Sequence, residues 1–348
     1  MAALLRDAPK ARIGIVGDFA LDAYWFIDPA KSAPSLETGH PTNPIREQRY
    51  ELGGGGNIAA NVAALGGKVQ AFGVVGDDPW GRELLLRLGN AGVATSGRVG
   101  SDASTLLVQD FSWATPVFIK PHVAGAEQSR FDTADFNELF RPLGKLLLVE
   151  LDAALPELDL LIVNEQIPGS LHTEWFRKQL AGMARRYRGK FIVDSRYHAN
   201  EYTDAYLRMN DREAVRLQLG VSASAETPPV AIATAGGGRP DRPSRERVVA
   251  AAEALFAKAG QSVFVSRGPD GVVIRDASGL HEVPAIRAEG EIDIVGAGDS
   301  LLAGISLALA LGRDPVTAAE LGILAASVTI RKLRRCGTAT PEEILGLF

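Results

Sequence analysis

Residues 292–311 read Ile-Asp-Ile-Val-Gly-Ala-Gly-Asp-Ser-Leu-Leu-Ala-Gly-Ile-Ser-Leu-Ala-Leu-Ala-Leu, a turn of small residues that leads into an apolar helix. Gly296, Ala297 and Gly298 carry almost no side chain, so their backbone N–H groups can surround an anion at the positive end of that helix. Asp299 follows at once, beside the place of a bound phosphate. An acid there suits the removal of a proton from an attacking hydroxyl, as in phosphoryl transfer. The same residues also fit an ordinary helix start with Asp299 as a cap.

Composition limits the class of protein and its partners. The chain has 348 residues, of which 46% are hydrophobic and 23% charged, so it can bury a sizeable core. Its net charge of −5 and its lack of a basic stripe argue against nucleic-acid and anionic-membrane partners. The single cysteine, Cys336, cannot form an internal disulfide, and no apolar run approaches the roughly 20 residues of a membrane span. We therefore expect a cytoplasmic protein.

Short apolar runs alternate with helical patterns, which is typical of a doubly wound α/β sheet. The runs of buried-strand type are 12–16, 69–75, 158–163, 190–193 and 263–266. The helical patterns are 56–65, 80–91, 171–187, 245–259 and 298–311. We expect one α/β domain that comprises residues 1–348.

Two segments interrupt this alternation, at 19–51 and 104–132. Their alternating apolar residues, as in Leu106–Val108 and Val117–Ile119, predict a small antiparallel β-sheet that projects from the main domain as a lid. Such a sheet can close over a ligand or pair with the same sheet of a second chain. Between 221 and 245, a stretch rich in Pro, Gly and Ala without periodicity predicts a mobile surface loop.

A second glycine-rich helix entry, Gly53–Asn57, holds four glycines and an asparagine. The glycines predict a close approach of the backbone to a ligand. Asn57 offers a donor and an acceptor to sugar hydroxyls, although a plain cap between strand and helix is the alternative. At the end of the first strand, Asp18 and Asp22 lie where open α/β sheets bind ligands. Paired carboxylates there can bind adjacent hydroxyls or belong to a solvated turn.

Two further stretches suit a nucleotide. Ser266–Gly271 links two strands with glycines that allow the turn to lie against a phosphate, and Arg267 can offset the charge of that phosphate. An unexceptional hairpin fits the same residues. Asn210 and Glu213 are spaced as a helix cap and its capping-box partner, and this structural role accounts for them fully.

In their order and spacing these stretches resemble the PfkB/ribokinase family of carbohydrate kinases, over about residues 12–345. The family's two signatures match the Gly53–Asn57 helix entry and the Gly296–Asp299 turn, with Gly17–Asp18 at the first strand. The resemblance implies a ribokinase-like α/β fold with a β-sheet lid that often mediates dimerisation, so we expect a homodimer. It also implies ATP and Mg²⁺ and allows a monovalent cation such as K⁺.

The resemblance further implies a role for each candidate residue. Asp299 would be the catalytic base, and Gly296, Ala297 and Gly298 would form the anion hole. The residues that would hold the sugar are Asp18, Asp22, Gly53, Gly54 and Asn57. The residues on the nucleotide side would be Asn210, Ser266, Arg267, Gly268 and Gly271, with Glu213 on magnesium.

Within the family, Gly17–Trp25 and Arg130–Asp132 look closest to bacterial heptose-7-phosphate kinases. By that resemblance Arg130 is a candidate for binding a phosphate on the acceptor, although an ion pair with Asp132 suits it equally. Lys120 and Arg196 are further basic candidates. The acceptor is therefore open between a sugar and a sugar phosphate.

Three stretches depart from the usual pattern: Ile294 replaces a threonine, the 164–169 loop lacks a lysine, and 194–196 reads Asp-Ser-Arg rather than Asp-Pro-Lys. We expect ATP-dependent phosphorylation of a sugar or sugar phosphate hydroxyl. Given the departures, a non-catalytic sugar or nucleoside sensor on a kinase fold is the alternative, although a pure binder has no use for a base beside phosphate. A dinucleotide-dependent oxidoreductase is disfavoured, because Leu301 occupies the third glycine position of Gly-x-Gly-x-x-Gly.

Overall fold

The computed structural model describes residues 1–99, 103–110, 112–220, 242–333 and 335–348, so most of the loop predicted for 221–245 lies outside the described residues. The strands are β1 (Arg12–Gly17), β2 (Phe19–Ile27), β3 (Ile45–Gly54), β4 (Lys68–Gly76), β5 (Ser96–Val99), β6 (Ala103–Asp110), β7 (Val117–Val123), β8 (Ala126–Glu127), β9 (Phe131–Asp132), β10 (Leu160–Glu165), β11 (Phe191–Ser195), β12 (Tyr206–Asn210), β13 (Val263–Ser266), β14 (Val272–Asp276) and β15 (Gly279–Val283). The α-helices are α1 (Ala2–Asp7), α2 (Gly55–Ala64), α3 (Pro79–Asn90), α4 (Arg141–Ala154), α5 (Glu174–Arg186), α6 (Asp211–Gln218), α7 (Arg245–Ala259), α8 (Ala297–Ala310), α9 (Pro315–Thr329) and α10 (Pro341–Leu345).

The larger sheet has the strand order β15-β14-β13-β12-β11-β10-β1-β4-β6-β5. Neighbouring strands from β13 to β6 run parallel, whereas β14, β15 and β5 are antiparallel additions at the edges. Inner strands such as β10 and β11 are buried along their whole length, because helices cover both faces. One core lies under α2, α8 and α9, and the other under α4, α5 and α7. The predicted doubly wound α/β sheet is confirmed.

The smaller sheet differs from the predicted lid in two respects. Its order is β3-β2-β7-β8, with β9 also paired to β7, and β2 runs antiparallel to β3 but parallel to β7, so the sheet is mixed rather than antiparallel. Leu106–Val108, predicted for the lid, lies in β6 and pairs with β4 in the larger sheet. This segment belongs to the larger sheet because it is buried on both faces: Leu107 packs into one core and Val108 against the other. A run of that kind suits an inner strand.

The two sheets are joined at the edge where a ligand would bind. Asp18 is the residue between β1 and β2, and β3 continues into α2 without an intervening residue. The amide of Gly55 donates to the carbonyl oxygen of Asp18 at 2.8 Å, which fastens the two passages together. Because β1, β10, β11 and β12 are parallel, their carboxyl ends meet at this same edge.

Candidate active site

Helix α8 begins at the small-residue turn that the sequence analysis identified. Gly296 has φ +77° and ψ −3°, a left-handed conformation that favours glycine. A Cβ added there would lie 2.8 Å from Asn57 Nδ2, so the turn also needs the space. The amide of Ala297 donates to the carbonyl oxygen of Ile294 at 3.2 Å. The helix geometry leaves the next amide, that of Gly298, for a ligand.

Asp299 and Asn57 meet at this turn, although they are far apart in the sequence. Asn57 Nδ2 donates to Asp299 Oδ2 at 2.7 Å. Asn61 Nδ2 donates to Asn57 Oδ1 at 3.1 Å, and this bond orients the Asn57 amide group with its NH₂ toward Asp299. Burial raises the pKa of Asp299 to about 6, although the hydrogen bond from Asn57 opposes the rise. A carboxylate with a pKa near neutral pH suits general-base catalysis.

Arg208, which the sequence analysis did not identify, lies under the same turn. Its Nη1 donates to Asp194 Oδ1 at 2.9 Å in a buried ion pair. A Cβ at Gly298 would lie 2.8 Å from Arg208 Nη2, so the absence of a side chain there makes room for the guanidinium group. Strand β12 was not recognised from the sequence. The available signal was a charged residue two positions before the Asn210 helix cap.

Asp18 is buried at the junction of β1 and β2. Its Oδ2 accepts the backbone amides of Gln166 and Ile167 at 2.8 and 2.9 Å. Its Oδ1 is buried without a hydrogen-bond partner among the described residues, and burial raises the pKa of the carboxyl group. One oxygen of Asp18 therefore ties the loop after β10 to the first strand, and the other can accept a hydrogen bond from a ligand.

The glycines before α2 bring the smaller sheet close to Asp18. Gly54 has φ +54°, and a Cβ there would lie 2.4 Å from the carbonyl oxygen of Asp18. Gly53 lies opposite Ala20 in the β2–β3 pair. These two glycines thus allow the two sheets to meet closely, and their contact with a sugar stays a prediction.

Asp22 belongs to a buried cluster between the smaller sheet and the α8 turn. Lys120 Nζ lies 3.0 Å from Asp22 Oδ1, and the Cys336 thiol donates to Asp22 Oδ2 at 3.4 Å. Burial and the Asp22 carboxylate raise the pKa of the thiol, which stays protonated. The Cα of Cys336 lies 3.8 Å from the place a Cβ would take at Gly296, so the cluster adjoins the Gly296–Gly298 turn.

Asn210 and Glu213 form the capping box of α6 that their spacing predicts. Asn210 Oδ1 accepts the amide of Glu213 at 2.9 Å, and Glu213 Oε2 accepts the amide of Asn210 at 2.9 Å. Burial raises the pKa of Glu213, and the nearby Asp194 carboxylate adds to the rise. A cation bound through Glu213 Oε1 would favour the ionised form of this carboxyl group.

The predicted nucleotide turn, Ser266–Gly271, connects β13 to β14 as expected. Ser266 lies opposite Asn210 in the β12–β13 pair, so the turn is next to the capping box of α6. Gly268 and Gly271 both have positive φ. The Arg267 side chain is largely buried beside this turn. The candidate nucleotide residues are thus brought together around Asn210, which follows Arg208 by two positions in β12.

Arg130 contacts residues of the smaller sheet rather than the α8 turn. Its Nη2 lies 2.5 Å from Asp132 Oδ2, and its guanidinium group lies 4.8 Å from the centre of the Phe118 ring. Both Asp132 and Phe118 belong to the smaller sheet. The ion pair that the sequence analysis considered is present, and a role in binding an acceptor phosphate stays a prediction.

Comparison with known proteins bears on what this arrangement does. The sequence model of the pfkB family carbohydrate kinases matches residues 23–107 and 233–342, more than half of the chain. The chain belongs to the pfkB family of carbohydrate kinases. The matched stretches include Asn57 and the Gly296–Asp299 turn. The family membership that these motifs predicted is therefore confirmed.

Bifunctional proteins are among the most similar curated relatives of this pfkB-family chain. The bifunctional protein HldE of Caulobacter sp. (strain K31) is 32% identical over 356 residues, which cover 100% of this chain and 64% of the relative. The bifunctional protein HldE of Gluconobacter oxydans (strain 621H) is 30% identical over 344 residues, with 97% and 64% covered. The chain thus spans slightly less than two-thirds of the length of these relatives.

Solved structures of the same fold confirm the ribokinase-like architecture. Ribokinase from Thermotoga maritima superposes with a TM-score of 0.68 at 20% identity, covering 97% of this chain and 98% of that one. Arabidopsis thaliana ribokinase, complexed with ribose and ATP, gives a TM-score of 0.69 at 16% identity with the same coverage.

Within the described ranges, no helix is both long and apolar enough to cross a bilayer.

Proposed function

We propose that this chain transfers the γ-phosphoryl group of ATP to a hydroxyl of a sugar or sugar phosphate, with Asp299 as the general base. The observation that carries the proposal is the 2.7 Å hydrogen bond between Asn57 and Asp299 at the N-terminus of α8. The N-terminus of a helix attracts a phosphoryl group. A carboxylate held beside that position would repel a merely bound phosphate, but it is placed to accept a proton.

In the proposed reaction the acceptor hydroxyl oxygen attacks the γ-phosphorus while its proton moves to Asp299 Oδ1. Asp299 Oδ2 stays hydrogen-bonded to Asn57, which holds the carboxylate in place. With a pKa of about 6, the carboxyl group is ionised at neutral pH and ready to accept the proton. The Gly296–Gly298 turn forms the anion hole, in which the Gly298 amide stabilises the charge that grows on the phosphoryl oxygens, whereas the Ala297 amide already donates to the Ile294 carbonyl oxygen. Positioning supplies most of the acceleration in such transfers.

A magnesium ion on the ATP phosphates fits the nucleotide side. Mg²⁺ usually keeps several waters and takes one or two carboxylates together with phosphates, so it needs no cage of protein ligands. Among the described residues there is no group of three candidate metal ligands, but Glu213 would hold the ion through its Oε1. When bound, the magnesium ion would neutralise part of the negative charge on the ATP phosphates. A monovalent cation such as K⁺ remains an expectation from the family resemblance.

On the acceptor side, Asp18, Asp22 and Asn57 would bind neighbouring hydroxyls of the sugar. Asp18 offers its unpartnered Oδ1, and the Asp22–Lys120 ion pair offers both an acceptor and a donor without net charge. If the acceptor carries a phosphate, Arg130 is the cation that the family resemblance assigns to it.

The remaining expectations concern the assembly and its setting. We propose that residues 1–348 form one kinase domain and that the smaller sheet mediates a homodimer. Ile45 in β3 and Phe131 in β9 expose large apolar side chains on that sheet, and pairing two copies would cover such groups. The net charge of −5 agrees with a cytoplasmic protein that acts on small molecules rather than on nucleic acid or membranes.

A coupled ADP-release assay over sugars, sugar phosphates and nucleosides tests the proposal. We expect ADP release that depends on one class of acceptor and that is lost in Asp299→Asn. The alternative, a sensor on a kinase fold, rests on the exposed Ile294 in place of the motif's threonine. Acceptor binding in calorimetry without turnover by the wild-type chain would support the sensor and refute the kinase.

A further inference from the structure

Arg208 combines deep burial with a position that is unfavourable for a cation alone. It lies in β12, an inner strand between β11 and β13, and is only 8% exposed. Its Nη2 is beside Gly298, as shown by the 2.8 Å that would separate it from an added Cβ. That places a positive charge at the N-terminus of α8, the positive end of the helix dipole, where an anion rather than a cation is favoured.

The hydrogen bonds of Arg208 leave part of its guanidinium group unused. Nη1 donates to Asp194 Oδ1 at 2.9 Å, and Asp194 Oδ2 is already taken by Asn164 Nδ2 at 3.1 Å. Arg208 Nε is buried without an acceptor among the described residues. A guanidinium group has five N–H donors, and a buried donor without a partner is costly. The group is therefore incomplete as it stands and would be completed by an acceptor.

The surroundings indicate what kind of acceptor this is. The turn above Arg208 offers the amide of Gly298, and Asp299 stands beside it with the 2.7 Å bond from Asn57. An anion between the helix N-terminus and the guanidinium group would offset both positive groups and accept from both. Phosphoryl oxygens suit the planar donors of arginine particularly well.

We propose that Arg208 is a further catalytic residue, which donates to the oxygens of the transferred phosphoryl group at the N-terminus of α8. This inference rests on the proposed kinase function. In the step, the bond from the γ-phosphorus to the ADP oxygen breaks, the bond to the acceptor oxygen forms, and the acceptor proton goes to Asp299. Arg208 neither gains nor loses a proton, and it offsets the charge on the group in transit.

A purely structural role makes a different prediction. Arg208 could serve only to neutralise the buried Asp194, with which it forms its ion pair. In that case removing both charges together, in Asp194→Asn with Arg208→Met, would restore what Arg208→Met alone loses. If Arg208 contacts the phosphoryl group, the double variant stays impaired, because the donor to the phosphoryl oxygens is still missing.

Nucleotide binding provides a readout that does not depend on the acceptor's identity. Calorimetry with ADP and with the β,γ-imido analogue of ATP compares ligands that differ in the γ-phosphoryl group. Arg208→Met should weaken the imido analogue by about 10- to 100-fold, with ADP affinity nearly unchanged. Arg208→Lys, which retains the charge without the planar fork, should weaken the analogue by less.

Arg177→Met is the matched control for folding. The side chains of Arg177 and Arg208 are both 10% exposed, and both form an ion pair. The partner of Arg177 is Glu201, with Oε2 at 3.0 Å. Arg177→Met should leave both nucleotide affinities at wild-type values. Equal effects of Arg208→Met on the affinities for ADP and the imido analogue would overturn this inference, and so would recovery of analogue binding in the double variant. Either result would leave the proposed kinase function standing. A wild-type chain that binds neither nucleotide would overturn the proposed function and this inference with it.

Discussion

The variant Asp299→Asn separates the chemistry of the carboxylate from its geometry. The new amide oxygen can still accept the hydrogen bond that Asn57 Nδ2 now donates at 2.7 Å, so the turn should keep its shape. The amide cannot take a proton from the acceptor. We expect kcat to fall by about 10²–10⁴-fold, with nucleotide affinity nearly unchanged, because the loss of a general base acts on the chemical step.

The same variant should be more stable than the wild type at neutral pH. Burial raises the pKa of Asp299 from its ordinary value of 3.8 to about 6, and at about 1.36 kcal/mol per pH unit the ionised carboxylate costs the folded state at most about 3 kcal/mol. The residue is only partly shielded from solvent, so we expect a gain of about 1–2 kcal/mol in the free energy of unfolding. For a chain of this length, that corresponds to a Tm higher by about 1–3 °C.

The dependence of this gain on pH has a definite direction. At a pH well below the ordinary pKa of 3.8, the carboxyl group is protonated in both the folded and the unfolded chain, so Asp and Asn give similar stability. As the pH rises through about 6, the raised folded-state pKa of Asp299 costs the wild type stability. The difference in Tm should therefore open between pH 4 and 6 and be complete at pH 7.

Thermal melts from pH 4 to 8 and steady-state kinetics on the same preparations measure both effects. Asp314→Asn is the control: Asp314 caps α9 by accepting the amides of Val316 and Thr317 at 3.0 Å, and its pKa is lowered by the hydrogen bond from the Thr317 hydroxyl and by these amide bonds. Asparagine is also a good cap, so this change should leave Tm level or lower it. An unchanged kcat in Asp299→Asn would refute the base assignment, and an unchanged Tm at pH 7 would refute the claim that the ionised Asp299 carboxylate destabilises the folded state.

Three further predictions concern the same site. In the wild type, kcat/KM should fall as the pH drops through about 6, because Asp299 must be ionised; a pH–rate series with its acid limb near 4 would contradict this. Gly298→Val should slow turnover while calorimetry still detects the sugar, because even its Cβ would lie 2.8 Å from Arg208 Nη2; the reverse pattern would mean that the two binding sites are exchanged. Arg130→Ala should reduce kcat/KM for a sugar phosphate more than for its unphosphorylated analogue, and equal losses would favour a neutral acceptor.

Local patterns predicted most of the elements that have one apolar face or a buried strand run. Helix α7 and strand β13 have the bounds that the sequence predicted, and the other predicted elements agree to within three residues at each end. Helix α9 was missed because it is packed on most sides, so its apolar residues show no helical period. Strand β12 was missed because Arg208 interrupts its apolar run. The burial of Arg208 depends on its ion pair with Asp194 on the next strand, which a local pattern does not reveal.

Most residues of the candidate site could be named from the sequence, but the contacts between them could not. Asn57 and Asp299 each stand in a local motif at the start of a helix, whereas their hydrogen bond depends on α2 and α8 lying side by side. Similarly, Asp22 was expected to face the acceptor, but its pairing with Lys120 requires β2 and β7 to be neighbours in parallel register. Contacts of this kind are set by topology, which a local pattern does not contain.

The junction of the two sheets determines how they can move relative to each other. The chain first enters the smaller sheet through Asp18 and leaves it at Gly54, before it enters again for β7–β9, and the hydrogen bond of 2.8 Å from Gly55 to Asp18 holds the first two passages together. A change in the angle between the sheets that keeps this hydrogen bond is a rotation about an axis that passes close to the junction. The far ends of β2 and β3 would sweep a wide arc, whereas the Asp18 carboxylate on the axis would barely shift. Entry of a substrate and alignment of the reacting groups can therefore vary independently of each other.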